Sequence, residues 1–361
     1  MALQLDQLET LTSDELTFLK EQIGIEDETQ LKEHVVKVAS KANDIFGYYC
    51  IQTFHFLRLK AWHNGDDKEE DILRSAYQHA LDLCSKREGA IYLDFGCCFG
   101  VDLRRAVKDG IPVQNAIGTD LRSEFWDLGH ELFRSTPETF PAAFIGGNAF
   151  DTSFLSGSSP TSKFPDTPTP DLRGLTSLTP LQGRVSAIYV GSVFHLFDAR
   201  KQVELARKLS SLLAPVVGSV IFGSQRGSER SHETQNLRRG GLVENIYIYN
   251  PADWRDIWSN SVFPVGSVEV EPRSKFMTMV FSDGDALLRE PCNEDLRDPS
   301  FSVHTGNITT TDRQFKLRLK APDRLFERPP MLKWKVVTAC IEHSACLKAN
   351  RPPTKYVFKS G

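Results

Sequence analysis

Residues 91–102 read IYLDFGCCFGVD. An apolar run ends in Asp94, a turn bracketed by Gly96 and Gly100 follows, and the next residues favour a helix. A strand, a glycine turn and a helix in this order let the backbone approach a nucleotide-like ligand at the carboxyl end of the strand. The stretch therefore predicts a cofactor site in an α/β fold.

A second acid follows a second strand-like run. Residues 116–119 read AIGT, and Asp120 comes next. An acid roughly 20 residues past such a turn can accept hydrogen bonds from both hydroxyls of a ribose. We therefore expect Asp120 to hold the sugar of the cofactor.

The turn departs from the pattern that binds a pyrophosphate. That pattern, G-x-G-x-x-G, needs a second glycine, and this position is Cys98. Asp94 would repel a phosphate but would attract the ammonium of a methionine moiety. These residues favour S-adenosylmethionine and disfavour a nicotinamide oxidoreductase. A tight strand-to-helix turn in another α/β protein is the alternative without this cofactor.

Composition bounds the class of protein. The chain has 361 residues, 40% of them hydrophobic, and a formal net charge of -4, which suits a packed globular protein and gives no reason to expect nucleic acid or an anionic membrane as partner. The seven cysteines argue against a disulfide framework. Neither a signal-peptide pattern nor an apolar run of about 18 residues is present, so we expect a soluble cytoplasmic protein. Cys340, His343 and Cys346 lack a fourth ligand at standard spacing, so no metal is expected.

Residues 1–88 predict a helical N-terminal cap that also serves as a lid on the substrate side. Helical spacing of apolar residues indicates two helices within 13–42 and a third over 71–84. Between them, residues 48–57 are dense in aromatics, so this segment either packs on the core or lines an apolar pocket. Its expected substrate contacts are Tyr49, Phe54 and Phe56.

Residues 89–285 predict a mostly parallel sheet with helices on both faces. The predicted strands are 90–95, 115–120, 143–147, 185–190, 219–223, 267–270 and 276–281. The helices between them are expected at 123–135, 200–213 and 251–258. Ser, Thr, Pro and Gly enrich residues 152–184, which predicts a long flexible loop. Residues 286–361 form a rather basic C-terminal tail of unknown role.

With these residues in view, the chain resembles the class I S-adenosylmethionine-dependent methyltransferases. More narrowly, it is similar to those of fungal meroterpenoid and related secondary-metabolite pathways. Four blocks carry the resemblance: 93–100, 118–125, 147–151 and 189–198. The resemblance implies a Rossmann-like, seven-stranded methyltransferase fold and O-methylation of an apolar small molecule, at a carboxylate or a hydroxyl.

The resemblance also implies which residues surround the cofactor. Asp94, Gly96 and Gly100 would surround the methionine part, and Asp120 the ribose. The remaining expected contacts are Leu121 and Arg122 beside the adenosine, Asn148, Ala149 and Phe150 at the adenine, and Gly191 and Ser192 near the sulfonium and the substrate.

Two residues are candidates for acting on the substrate. His195 follows the fourth strand, and its unperturbed pKa of about 6.5 suits a general base; the alternative is that it holds a turn or packs under the cofactor. Arg226 could pair with a substrate carboxylate, or it is a surface loop residue. Rival functions are a protein-modifying or regulatory methyltransferase and a catalytically silent methyltransferase-like binding protein. The sequence leaves open whether the protein forms a homodimer.

Overall fold

The computed structural model describes residues 3–58, 72–157, 159–237, 243–277 and 334–343. They belong to one compact unit, residues 1–278 with 332–361, whereas the second unit, residues 279–331, lies outside the described residues. The helices are α1 (Ser13–Ile23), α2 (Glu28–Ile45), α3 (Tyr49–Gln52), α4 (Ile72–Lys86), α5 (Val101–Lys108), α6 (Ser123–Leu132), α7 (Ala199–Leu212) and α8 (Pro251–Asp256). The strands are β1 (Ile91–Phe95), β2 (Ala116–Thr119), β3 (Ala143–Phe144), β4 (Val185–Gly191), β5 (Val220–Gly227), β6 (His232–Leu237), β7 (Val243–Ile248), β8 (Val268–Met277) and β9 (Trp334–His343).

A parallel sheet runs through this unit, in the order β3-β2-β1-β4-β5-β9-β8. Its five-stranded part, β3 to β5, confirms the predicted α/β class, and every neighbouring pair in it is parallel. All five residues of β1 are buried, as expected for a strand covered on both faces. The carboxyl ends of β1, β2, β4 and β5 therefore meet at one edge of the sheet.

One of the two outer strands, β8, contains most of the predicted strand at 267–270, and the other outer strand was not predicted. One strand, β8, replaces the separate predicted strands at 267–270 and 276–281, although residues 278–281 lie outside the described part. The other outer strand, β9, comes from the predicted tail and inserts between β5 and β8, parallel to both. The sequence of β9 is WKVVTACIEH. Its β-branched residues favour a strand, and the sequence analysis did not use this signal.

The hairpin of β6 and β7 was not predicted. The Tyr247 N–H donates to the Phe197 carbonyl oxygen at 3.0 Å, and Gln202 Nε2 donates to the Tyr247 carbonyl oxygen at 2.6 Å. These bonds fix the hairpin against the segment that follows β4. It therefore borders the edge of the sheet where the cofactor site was predicted.

The two predicted N-terminal helices are confirmed as α1 and α2. α1 begins with a capping box between Thr12 and Glu15, and the Asp27 side chain caps α2 by accepting from the Gln30 N–H. The apolar face of α2 joins one hydrophobic cluster with the Phe99 region and α6. Within the described residues, no helix combines the length and the apolar character that crossing a membrane requires.

In its described part, the segment 152–184 is a long loop, as predicted, and it packs against the sheet; its flexibility stays a prediction. Its buried leucines belong to the main hydrophobic cluster: Leu155, Leu172, Leu178 and Leu181. Two buried cations bind the segment further. Lys208 Nζ donates to the Leu155 carbonyl oxygen at 2.6 Å, and Arg184 donates to Thr167. The burial of these leucines outweighs a composition that favours disorder.

Replacing Leu178 by Ala should lower the free energy of unfolding by about 2–5 kcal/mol, because Leu178 is fully buried. Phe164→Ala is the control, since it truncates a large side chain in the same segment that is 48% exposed. Its effect should stay within about 0.5 kcal/mol. Urea denaturation measures both, and equal stability of the two variants would show that this segment does not contribute to the core.

Candidate functional site

The turn after β1 is held by the end of β2. The Gly96 and Cys97 N–H groups both donate to the Thr119 carbonyl oxygen, at 2.8 and 3.0 Å. The Cys98 N–H donates to Asp120 Oδ2 at 2.9 Å. The turn alternates in backbone conformation, with left-handed φ values of 77° at Gly96, 50° at Cys98 and 70° at Gly100. The Cys98 conformation is costly for a residue with a Cβ, and the bond to Asp120 offsets that cost.

Packing explains why both ends of this turn are glycine. A Cβ on Gly96 would lie 2.4 Å from Val193 Cγ2, and one on Gly100 would lie 2.7 Å from the Trp126 ring. Both distances are far shorter than a van der Waals contact. The two glycines are therefore needed to seat the turn between β4 and α6, whether or not a ligand is bound.

Asp120 is partly buried and accepts two backbone hydrogen bonds. Besides the bond from Cys98, the Arg122 N–H donates to Asp120 Oδ1 at 3.0 Å. Burial raises the pKa of Asp120 above its ordinary value, and the backbone N–H groups of Arg122, Cys98 and Leu121 oppose that rise. An ionised carboxylate has about four acceptor sites, so two bonds leave capacity for ribose hydroxyls. Leu121, beside it, is 58% exposed and offers an apolar surface.

Asp94 lies at the tip of β1 and is only 2% exposed. Its register partner on β4 is Tyr189. Burial, followed by the charges of Asp102 and Asp94, raises the pKa of Tyr189 well above its ordinary value. Burial and then the charges of Asp94 and Asp120 also raise the pKa of Cys97. The two predicted carboxylates thus lie at the tips of neighbouring strands, and the charges of both raise the pKa of Cys97.

The tip of β4 is bound to the tip of β5. The Ser192 N–H donates to the Ser224 carbonyl oxygen at 2.7 Å, and Ser192 has a left-handed φ of 59°. Gly191 pairs with Ser224, and a Cβ on Gly191 would lie 2.9 Å from the Tyr189 hydroxyl oxygen. His195 lies in the helical turn that follows, and its Nδ1 accepts from the Arg226 N–H at 3.3 Å. The structure therefore brings these four predicted residues together: Gly191, Ser192, His195 and Arg226.

The segment after β3 lies next to Asp120, because the Gly147 N–H donates to the Asp120 carbonyl oxygen at 2.9 Å. Asn148 is exposed, and its Oδ1 accepts from the Phe150 N–H. Ala149 is buried in the core, and the Phe150 ring lies 5.0 Å from that of Phe197. Of the three predicted adenine contacts, Asn148 and Phe150 have side-chain surface exposed to solvent, whereas Ala149 is almost completely buried.

The aromatic N-terminal segment packs on the turn. Phe54 is 1% exposed, Phe56 is buried, and the Phe56 ring lies 4.5 Å from that of Phe99. Because Phe54 and Phe56 are buried among core residues, a substrate could not reach their side chains in this structure. Tyr49, by contrast, is 42% exposed. The core-packing alternative for this segment therefore holds at its two phenylalanines.

Two further contacts join the N-terminal segment to the site. The Arg122 guanidinium lies 4.3 Å from the centre of the Phe46 ring, a cation–π distance. A hydrogen bond with the Cys50 thiol, followed by burial, raises the pKa of Cys98 well above its ordinary value. The sequence analysis missed Phe46 and Cys50, because only the fold brings them beside residues 98 and 122.

The end of β5 adds buried polar groups that were not assigned as site residues. Ser224 Oγ and Gln225 Oε1 are buried, and neither atom has a hydrogen-bond partner within the described part of the chain. A buried polar atom without a partner is costly, and a bound ligand is one way to satisfy it. The sequence signal for these polar groups is that β5 changes from the apolar residues VIFG to the polar residues SQR.

These features fit S-adenosylmethionine better than a phosphate-bearing cofactor. The region has a buried acid at β1, a carboxylate at β2 with acceptor capacity left, and an exposed apolar side chain beside it. The described ranges contain no group of three or more His, Cys, Asp or Glu residues arranged to hold a metal ion.

Comparison with known proteins gives the family. The family described as the meroterpenoid methyltransferase N-terminal domain matches residues 4–57. Methyltransferase adrK of Penicillium roqueforti is 30% identical over 258 residues, which cover 72% of this chain and 77% of adrK. The chain belongs to this family of fungal methyltransferases.

Two relatives named as O-methyltransferases match over smaller shares of their length. O-methyltransferase phiE of a fungal species is 29% identical over 65% of this chain and 66% of phiE. O-methyltransferase atr3 of Stereocaulon alpinum is 34% identical over 55% of this chain and 48% of atr3. The match thus spans about two thirds of phiE and about half of atr3.

The packing of the turn can be tested with a matched pair of glycines. Gly89 and Gly100 have nearly the same φ, 69° and 70°, but a Cβ on Gly89 would meet nothing within 4 Å. Gly89→Ala should therefore cost only the left-handed conformation, about 1–2 kcal/mol of unfolding free energy. Gly100→Ala should cost about 1–3 kcal/mol more, because the new methyl meets Trp126. Equal losses in chemical denaturation would refute this account of the turn.

Proposed function

We propose that this chain is an S-adenosylmethionine-dependent methyltransferase that O-methylates an apolar small molecule of the meroterpenoid or polyketide type. The observation that carries the proposal is the pair of backbone hydrogen bonds that Asp120 accepts at the edge of a parallel sheet. These bonds hold the turn after β1 and leave the carboxylate with further acceptor capacity. Family membership supports methyl transfer. The names of phiE and atr3 support oxygen as the acceptor atom.

When bound, S-adenosylmethionine supplies a methyl group on a positively charged sulfur, so the protein's main task is to position donor and acceptor. Asp120 accepts from the ribose hydroxyls, with Leu121 and Arg122 beside the adenosine. Asp94 stabilises the ammonium of the methionine part, next to the turn from Gly96 to Gly100. Asn148 and Phe150 border the adenine.

The acceptor approaches from the tips of β4 and β5. Gly191 and Ser192 lie closest to the reacting atoms in this proposal, with His195 and Arg226 bordering them. Arg226 pairs with a negatively charged group of the substrate, and Tyr49 contributes exposed aromatic surface from the N-terminal side. Positioning of this kind contributes roughly 7–11 kcal/mol to lowering a barrier.

Asp120→Ala should weaken binding of S-adenosylmethionine by about 1–3 kcal/mol, or roughly 5- to 150-fold in Kd, because hydrogen bonds to the ribose are lost. Isothermal titration calorimetry measures the change. Asp127→Ala is the control, since it removes an exposed carboxylate from α6 without touching the turn. Unchanged affinity in the Asp120 variant would remove Asp120 from this role.

A transfer assay distinguishes the proposed function from its rivals. The protein is incubated with S-adenosylmethionine carrying a deuterated methyl group and either fungal small-molecule extract or fungal protein. We expect mass spectrometry to find the labelled methyl on an apolar small molecule. Label on protein would favour a protein-modifying enzyme, and tight cofactor binding without transfer would favour a silent binding protein.

A further inference from the structure

The guanidinium of Arg184 is buried beside neutral acceptors. Arg184 immediately precedes β4 and is 5% exposed. Its Nη2 donates to the carbonyl oxygen of Thr167 at 2.9 Å and to the hydroxyl oxygen of the same residue at 2.5 Å. Its Nη1 is buried and has no hydrogen-bond partner within the described part of the chain. Among the described residues, no carboxylate lies within ion-pair distance of Arg184. A buried charge with an unused donor is costly, so an anion beside it would be stabilised.

Thr167 can receive that anion as a covalent modification. It is an exposed residue, although its hydroxyl oxygen contacts the buried guanidinium. Pro168 follows it, and Thr-Pro is the dipeptide that proline-directed protein kinases modify. Proline also favours an extended conformation at the preceding residue, which suits a kinase active site. Residues 159–170 belong to no helix or strand, so Thr167 lies on an irregular surface chain that a kinase can bind.

We propose that Thr167 is a phosphorylation site whose phosphate binds the Arg184 guanidinium. A proline-directed protein kinase transfers the phosphoryl group from ATP. The Thr167 hydroxyl oxygen forms the new P–O bond, the bond between the γ-phosphorus and the bridging oxygen breaks, ADP leaves with that electron pair, and the hydroxyl proton passes to the base of the kinase. The phosphate brings close to two negative charges and three acceptor oxygens, enough to pair with both Nη atoms.

The phosphate would strengthen the link between the loop 152–184 and the start of β4. A charge-assisted hydrogen bond is stronger than the bonds to neutral oxygens that Arg184 makes without phosphate. The predicted cofactor site includes Gly191 and Ser192, at the opposite end of β4. We therefore expect phosphorylation to raise the stability of the fold, and this expectation does not depend on the proposed function.

Thr169 is the matched control. It is exposed and is followed by Pro170, but the described hydrogen bonds of Arg184 in this loop go to Thr167. The full chain is incubated with a purified mitogen-activated protein kinase and ATP, and tandem mass spectrometry maps the modified residues. We expect phosphate on Thr167, whether or not Thr169 is also modified. Phosphate at other positions with none on Thr167, or no phosphate at all, would overturn the proposal.

Thermal unfolding then tests the contact with Arg184. In Thr169→Ala, phosphorylation should raise Tm by about 2–4 °C, because Thr167 still receives its phosphate. Thr167→Ala, treated in the same way, should show no rise. In Arg184→Gln the rise should be lost even though Thr167 is modified. No rise in Thr169→Ala, or an equal rise in Arg184→Gln, would overturn the proposal.

A ³¹P NMR titration measures the same contact without an arginine variant. In the folded chain, the phosphate on Thr167 should take up its second proton at a lower pH than in the same chain unfolded in urea, because only folding brings Arg184 beside it. The sequence neighbours Lys163 and Asp166 are present in both states, so they do not produce this difference. A midpoint that is equal or higher in the folded chain would show that the phosphate does not bind Arg184.

Discussion

The hydrogen bond from the Cys98 N–H to Asp120 is the interaction on which the site depends. It ties a turn with three left-handed residues to the tip of the neighbouring strand, and it orients the carboxylate that is proposed to hold the ribose. In the proposed function, one side chain therefore has two tasks, holding the turn and binding the ribose. This coupling explains why the shape of the turn and the binding of the cofactor are expected to fail together when Asp120 is lost.

The N-terminal segment packs against the same turn. The Phe56 ring packs on Phe99, the Cys50 thiol contacts Cys98, and the Phe46 ring faces Arg122. Residues 4–57, which match the family's N-terminal domain, thus include the residues that press on the turn from outside. We infer that this region stabilises the turn after β1, in addition to any part it takes in binding a substrate.

The sequence predicted features that local patterns specify. The apolar run into Asp94, the glycine turn and the run into Asp120 each carry their own signal, and the structure has them as predicted. Features that depend on distant partners were missed. β9 is separated from β8 by residues 278–333, and the buried leucines of residues 152–184 follow no helix or strand period. The orientation of His195 depends on the Arg226 N–H, which the sequence alone could not place beside it.

A crystal structure of the protein with S-adenosylhomocysteine tests the central claim most directly. The account predicts both ribose hydroxyls within hydrogen-bond distance of the Asp120 carboxylate, with the Cys98 N–H still bound to it and the amino group on the Asp94 side of the turn. A ligand bound elsewhere, or ribose hydroxyls held by other residues while Asp120 contacts only the backbone, would contradict it.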